Sequence, residues 1–65
     1  MTNMTPVEYR RELADSRYAS MPLEDTGDII DVDVAAAAFT ADPDRFGDDP
    51  VGWTIDNDGP WWVEA

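Results

Sequence analysis

The sequence contains no cysteine, no histidine and no lysine. Without cysteine no disulfide can staple the fold, and without cysteine or histidine a structural zinc site lacks its usual ligands. The same absences remove the commonest nucleophiles and general bases, and Ser16 and Ser20 have no basic partner in the sequence. We therefore expect a protein that is not an enzyme and that has no catalytic residues, no cofactor and no metal site.

Large apolar side chains are scarce as well, because leucine, isoleucine, valine and phenylalanine together supply only 12 of the 65 residues. That composition, combined with a high net charge, is typical of disordered chains. Three tryptophans and two tyrosines favour folding, since each can bury a large area. The sequence thus predicts one small acidic domain, residues 1–65, with a thin core.

Negative charge dominates the composition. Fifteen acidic residues, eleven of them aspartate, face four arginines, and the net charge is −11. Nucleic acids and anionic membranes would repel this chain. We expect a basic protein surface as the partner, reached by fast and salt-sensitive association. We also expect a monomer, because self-repulsion opposes close association of copies.

No leader pattern and no membrane-length apolar run is visible, so the expected location is cytoplasmic.

A first helix is predicted from Pro6 to about Tyr18. In Thr5–Glu8, the threonine can cap the helix, the proline suits its first position, and the glutamate completes a capping box. Residues Ser20–Gly27 have the composition of a loop. The apolar side of the helix is predicted to comprise Val7, Ala14 and Tyr18, with Tyr9 and Leu13 at its margin.

The segment 28–41 allows two interpretations. Ile29 and Ile30, with the valines that follow, favour a short strand, whereas the helical spacing of Ile30, Val34 and the alanines favours a helix. We predict a second helix that begins between Asp28 and Asp33 and ends near Thr40. Helix or strand at Ile29 to Val34 stays open from the sequence. One more helical turn is predicted at Asp42–Phe46, stopped by Gly47.

The C-terminal segment alternates apolar and polar residues, which predicts two strands around a turn at Asp56–Gly59. In the expected register Ile55 faces Trp61, Trp53 faces Val63, and Trp62 points the opposite way beside Thr54. We therefore predict an α+β fold of two helices and a short helical turn packed against a C-terminal two-stranded antiparallel hairpin. Trp53 and Trp61 should lie in its core. Trp62 has two interpretations: an exposed residue that contacts a partner, or a side chain that covers the end of a helix.

Calcium binding is suggested by Asp56–Gly59, but the match to an EF-hand loop fails. With Gly59 in the sixth place, Thr54 and Ala65 occupy the first and twelfth places, where acidic ligands are needed. A turn is the better interpretation of these residues.

The acidic residues could present an organised negative surface to a basic groove. Carboxylates three and four residues apart on a helix lie about 5–6 Å apart at their Cβ atoms, whereas duplex DNA carries one charge per about 1.7 Å. A solvated surface, or adaptation to high salt, would also explain so many acids. The residues predicted to contact the partner are Glu8, Glu12, Asp15, Asp28, Asp31, Asp33, Asp42, Asp44, Asp48, Asp49 and Trp62.

In size, acidity and lack of cysteine the chain resembles the DNA-mimicking anti-CRISPR proteins of phages and mobile elements, and specifically inhibitors of type I-C surveillance complexes. The resemblance covers the whole chain and includes no motif, so no residue roles are transferred. It implies a phage protein that evades host defence in the bacterial cytoplasm. It would occupy the basic surface by which a DNA-binding subunit of the complex grips its target.

Two other functions stay open. One is mimicry of DNA toward a different target, such as a restriction or repair enzyme. The other is an acidic interaction module, or an antitoxin-like protein, that neutralises a basic partner partly through an exposed Trp62. Steep loss of binding in salt would favour mimicry, and strong dependence on Trp62 would favour the module.

Overall fold

A computed structural model describes residues 4–65. Within that range the chain forms three α-helices, two 3-10 turns and one two-stranded antiparallel sheet. The predicted α+β class, with helices packed against a small antiparallel sheet, is confirmed. In chain order the elements are α1 (Pro6–Asp15), a 3-10 turn (Arg17–Ala19), β1 (Asp28–Ile30), α2 (Val32–Ala41), a second 3-10 turn (Pro43–Phe46), α3 (Pro50–Asp56) and β2 (Trp62–Glu64).

Helix α1 begins as predicted and ends earlier. The Thr5 hydroxyl accepts from the Glu8 backbone N–H at 3.2 Å, and Glu8 accepts from the Thr5 backbone N–H at 3.0 Å, which completes the capping box. The helix stops at Asp15 rather than near Tyr18 because Ser16 is extended and its hydroxyl bonds back to the Leu13 carbonyl at 2.7 Å.

The buried side of α1 differs from the prediction. Tyr9 and Leu13 are fully buried, whereas Val7 is 67% exposed and Ala14 lies at the surface. Tyr9 and Leu13 stand one turn apart and are the two largest apolar residues of the helix, so turning them inward buries the most area. The weaker Val7–Ala14 stripe is thereby left facing outward.

The segment 28–41 contains both of the structures that its sequence allows. Ile29 and Ile30 lie in β1, and α2 follows after one residue, within the predicted limits. Asp31 caps α2 by accepting from the backbone N–H groups of Asp33 and Val34 at 3.0 and 3.2 Å. The predicted helical turn before Gly47 is confirmed, and Gly47 ends it with a φ of 69°.

The predicted hairpin strand at 51–55 is wrong, because this segment is helix α3. Asp49 caps the helix through the Gly52 backbone N–H at 3.2 Å, and Pro50 occupies its first turn. The helix-start signal of Asp49 and Pro50 therefore outweighs the alternation of apolar residues in this segment. The strand partner of β2 is β1, with Asp28 opposite Glu64, Ile29 opposite Val63, and Ile30 opposite Trp62.

Aromatic rings from every helix meet in the core. The Phe46 ring contacts four others, with centroid distances of 6.0 Å to Tyr9, 5.5 Å to Phe39, 4.5 Å to Trp53 and 5.9 Å to Trp61. Trp61 is 1% exposed, as predicted for a core residue, while Trp53 is partly buried against the core. This cluster compensates for the shortage of aliphatic side chains.

A buried hydrogen-bond chain connects α1 to α3. The Thr54 hydroxyl donates to the Pro50 carbonyl at 2.8 Å, so its oxygen accepts from the Tyr9 hydroxyl at 2.5 Å. Burial raises the pKa of Tyr9, so the phenol keeps the proton that it donates in this hydrogen bond. None of the helices in the described range is long and apolar enough to cross a membrane.

Trp61 is fixed from two sides. Its indole N–H is shared between the carbonyl oxygens of Thr54 and Asn57, at 3.0 and 3.1 Å. A Cβ added to Gly59 would lie 2.5 Å from the indole ring, which is closer than atoms can approach. Glycine is therefore required at position 59 for the ring to occupy its site.

We predict that Gly59→Ala lowers the free energy of unfolding by about 1–3 kcal/mol, because the buried indole must move to accommodate the methyl group. Urea unfolding followed by tryptophan fluorescence measures the change. Asp58→Ala, at the exposed neighbouring position, is the control and should stay within about 0.5 kcal/mol of the parent protein. Equal effects of the two substitutions would show that the ring does not need the glycine.

A candidate acidic interaction surface

The acidic residues predicted to meet a partner lie at the surface. Asp28 and Asp31 are half-buried, and the remaining eight are exposed: Glu8, Glu12, Asp15, Asp33, Asp42, Asp44, Asp48 and Asp49. They lie on α1, on β1 and the start of α2, and in and around the second 3-10 turn. The structure thus leaves these carboxylates accessible, as a contact surface requires, but accessibility alone also fits a solvated surface.

Several of these carboxylates already have structural roles. Asp31 and Asp49 cap α2 and α3. Asp33 forms an ion pair with Arg10, whose Nε donates to the Asp33 Oδ1 at 3.2 Å and whose Nη2 contacts the same oxygen. Both side chains of this pair are largely exposed, so it contributes little to stability. From the sequence, Asp31 and Asp33 were expected both at the start of α2 and in the contact surface, and Asp49 only in the contact surface.

The negative charge is unevenly distributed along the chain. Residues 1–23 contain three acidic and three basic residues and are electrically balanced, whereas residues 24–65 contain twelve acidic residues and one arginine. The whole excess of eleven negative charges therefore belongs to the part of the chain that follows α1 and its 3-10 turn. A basic surface should be attracted to that part more strongly than to α1.

The outward side of α1 has a different character. Val7, Arg10, Arg11 and Ala14 line a shallow groove of about 330 Å³. Arg11 stands near Glu8, whose pKa is lowered mainly by the hydrogen bond from the Thr5 backbone, next by that from the Thr5 side chain, and least by the Arg11 charge. Because Arg10 pairs with Asp33, the groove has little net charge. It therefore has no excess negative charge to attract a basic partner.

Trp62 is half-buried rather than fully exposed. It does not stand beside Thr54, as the predicted hairpin required, because Thr54 lies on α3 and is buried. The Trp62 indole N–H donates to the Asn57 carbonyl at 3.2 Å, and the Tyr18 ring meets the Trp62 ring edge to face at a centroid distance of 6.2 Å. Trp62 is therefore held in one orientation with part of its surface open to solvent.

Acidic clusters and buried polar groups are the places in this fold where a metal or a small ligand could be held. No cluster of three or more acidic side chains with metal-binding geometry occurs among residues 4–65. In the same range, every buried side-chain nitrogen or oxygen has a hydrogen-bond partner, so no buried polar group is left aimed at a ligand.

Glu64 was not among the predicted contact residues. Glu64 stands opposite Asp28 in the sheet, although the two residues are far apart in the chain. The strand signal at Ile29 and Ile30 was visible, but the sequence did not reveal which segment would pair with it. Glu64 could have been identified only once β2 was known to pair with β1.

Comparisons with known proteins add no relative. No family model matches the chain, and no curated protein and no solved structure matches it significantly.

We predict that Asp31→Ala lowers the free energy of unfolding by about 1 kcal/mol, because two backbone N–H groups at the start of α2 lose their acceptor. Asp31→Asn is the matched control. It keeps the acceptor oxygen and should change stability by less than half as much, since asparagine caps helices as well as aspartate. Urea unfolding measures both variants. Equal losses would mean that charge, rather than the cap, stabilises this helix start.

Proposed function

We propose that this protein is a non-enzymatic inhibitor that occupies the basic nucleic-acid-binding surface of another protein by presenting carboxylates in place of DNA phosphates. The main support is the excess of eleven negative charges in residues 24–65, whose acidic side chains lie at or near the surface. Surfaces that bind DNA are built from arginine and lysine, and carboxylates make strong, charge-assisted hydrogen bonds with arginine.

The arrangement of the acidic residues supports DNA mimicry rather than binding through one short continuous segment of the chain. Those of residues 24–65 lie in the loop before β1, in β1 and the start of α2, in and around the second 3-10 turn, at the end of α3, in the α3–β2 connection and in β2. A groove that grips a duplex makes many contacts along its length, and dispersed carboxylates can engage several of them. Each contact is weak in water, so affinity should come from their number.

The target that we propose is a DNA-binding subunit of a CRISPR surveillance complex of type I-C, in the host bacterial cytoplasm. This choice rests on the resemblance in size and acidity to anti-CRISPR proteins. Blocking the DNA-binding surface would prevent target capture and, with it, cleavage. Electrostatic steering would make the inhibitor fast, which suits a protein that must act soon after infection begins.

A competition assay tests the proposal. Purified protein is added to a type I-C surveillance complex with labelled target duplex, at low and at high sodium chloride. We expect the protein to displace the duplex at low salt. The affinity of the protein for the complex, measured without DNA, should fall as the salt concentration rises, because screening weakens the attraction. A duplex that stays bound at every salt concentration would rule out this target.

Two variants, each lacking three negative charges, test which part of the protein contacts the target. Asp42→Asn/Asp44→Asn/Asp49→Asn changes the acid-rich part and preserves the α3 cap, while Glu8→Gln/Glu12→Gln/Asp15→Asn changes α1 and preserves the capping box. We expect the first variant to lose about tenfold in affinity for the target and the second less than threefold, at about 0.5 kcal/mol per charge in the contact. Equal losses would show that total charge, not its position, determines binding.

A further inference from the structure

Strand β2 forms an open edge of the sheet. The sheet has two strands, so one side of β2 pairs with β1 and the other side pairs with no strand of the described residues. An unpaired edge presents backbone N–H and C=O groups on which a further strand can form. Many proteins bind an extended segment of a partner in this way, by adding the segment to a sheet as another strand.

The hydrogen bonds between the two strands show which backbone groups face the open edge. The Ala65 N–H donates to the Gly27 carbonyl at 3.3 Å. In antiparallel strands hydrogen-bonded pairs alternate with non-hydrogen-bonded pairs, so the next bonded pair along the sheet is Ile29 with Val63. The N–H and carbonyl of Val63 therefore face β1, and those of its two neighbours in β2 face away from β1.

These two neighbours are Trp62 and Glu64. The Trp62 N–H donates to the Gly59 carbonyl at 3.2 Å, within the turn that precedes the strand. Within residues 4–65, the Trp62 carbonyl and the Glu64 N–H and carbonyl have no hydrogen-bond partner. Glu64 is also exposed, which leaves room beside it. The edge thus offers one donor and two acceptors to an additional strand.

The side chains of β2 indicate the composition of a strand that fits this edge. Val63 lies on the face of the sheet opposite the core, because Trp62 and its cross-strand partner Ile30 lie on the core side. Val63 is half-buried, and it is not one of the described apolar residues that pack on the core. An added strand would place one residue beside Val63, where an apolar side chain fits, and the next beside Glu64, where a basic one fits.

Charge decides between a second copy of the chain and a basic partner as the source of that strand. Residues 24–65, which include both strands, contain twelve acidic residues and one arginine. A second copy would bring the same excess of negative charge to the edge and would be repelled. A segment with basic residues at alternate positions is attracted instead, and one of them can pair with the Glu64 carboxylate.

We propose that the open edge of β2 binds an extended segment of the partner protein as a third strand, in which arginine or lysine alternates with apolar residues. This proposal rests on the proposed function and names the kind of partner segment within it. The dispersed carboxylates attract the basic surface, and the edge of β2 fixes one segment of that surface in register. Binding then depends on the Glu64 backbone N–H as well as on the Glu64 charge.

Two substitutions at one position separate the backbone group from the charge. Glu64→Pro removes the outward N–H and the carboxylate, whereas Glu64→Gln, the matched control, removes only the carboxylate. Both should stay folded in a urea titration, because proline is tolerated in an edge strand where its nitrogen faces away from the neighbouring strand. The probe is a capped peptide of alternating arginine and valine, titrated by NMR. Its affinity for Glu64→Pro should be about fivefold weaker than for Glu64→Gln, the effect of one backbone hydrogen bond.

Hydrogen exchange in the parent protein tests the same contact without a substitution, and it decides the outcome even if Glu64→Pro fails to fold. Saturating alternating peptide should slow exchange of the Glu64 N–H about tenfold or more. A peptide with the same arginines and valines in two separate blocks should slow it less, because its charge is equal but its alternation is lost.

Equal affinities of the two folded variants, or a Glu64 N–H whose exchange ignores the alternating peptide, would overturn the proposal. So would exchange that slows with rising protein concentration in the absence of peptide, since a second copy would then occupy the edge.

The two proposals fail separately. If the surveillance complex loses its DNA while the alternating peptide leaves Glu64 exchange unchanged, mimicry stands and the strand edge is wrong. If the DNA stays bound while the peptide protects the Glu64 N–H, the strand edge stands and the target is wrong.

Discussion

The packing of one phenylalanine ring holds the structure together. Phe46 contacts aromatic rings from α1, α2 and α3 and the ring of Trp61, which precedes β2. A chain with few aliphatic residues and a net charge of −11 must gain burial from a small number of large side chains while its surface repels itself. Loss of this ring would leave a cavity costing about 3–5 kcal/mol, a large share of a small domain's stability.

Local signals in the sequence identified the starts of α1 and α2 and the α+β class, but not the start of α3. The capping box at Thr5–Glu8, and the start of α2 at the Asp-rich segment, depend on neighbouring residues and could be predicted. The predicted hairpin was wrong because Val51, Trp53 and Ile55 alternate as in a strand, although Val51 and Ile55 are also spaced as neighbours on one side of a helix. The Asp49-Pro50 start signal was present and decides for the helix in the structure. Pairing of β2 with β1 is a long-range choice that no local pattern specifies.

The candidate surface was predictable in its chemistry and only partly in its membership. Surface exposure of the acidic residues follows from their charge, and the imbalance between residues 1–23 and 24–65 can be counted from the sequence. The sequence placed Asp31 and Asp33 near the start of α2, and it contained the Asp49-Pro50 start signal of α3. The Arg10–Asp33 ion pair and the pairing of Asp28 with Glu64 are long-range contacts that needed the fold. The account therefore places the contact on the acid-rich part of the chain and leaves the outward groove of α1 in solvent.

Carboxyl footprinting would test that placement most directly. The protein, alone and mixed with the type I-C surveillance complex that we propose as its target, is treated with a carbodiimide and an amine that label accessible carboxylates. Each site is quantified by mass spectrometry. The account predicts that labelling of Asp42, Asp44 and Glu64 falls on binding while labelling of Glu8 and Glu12 is unchanged. Protection confined to Glu8 and Glu12, with the acid-rich part labelled equally in both states, would contradict it.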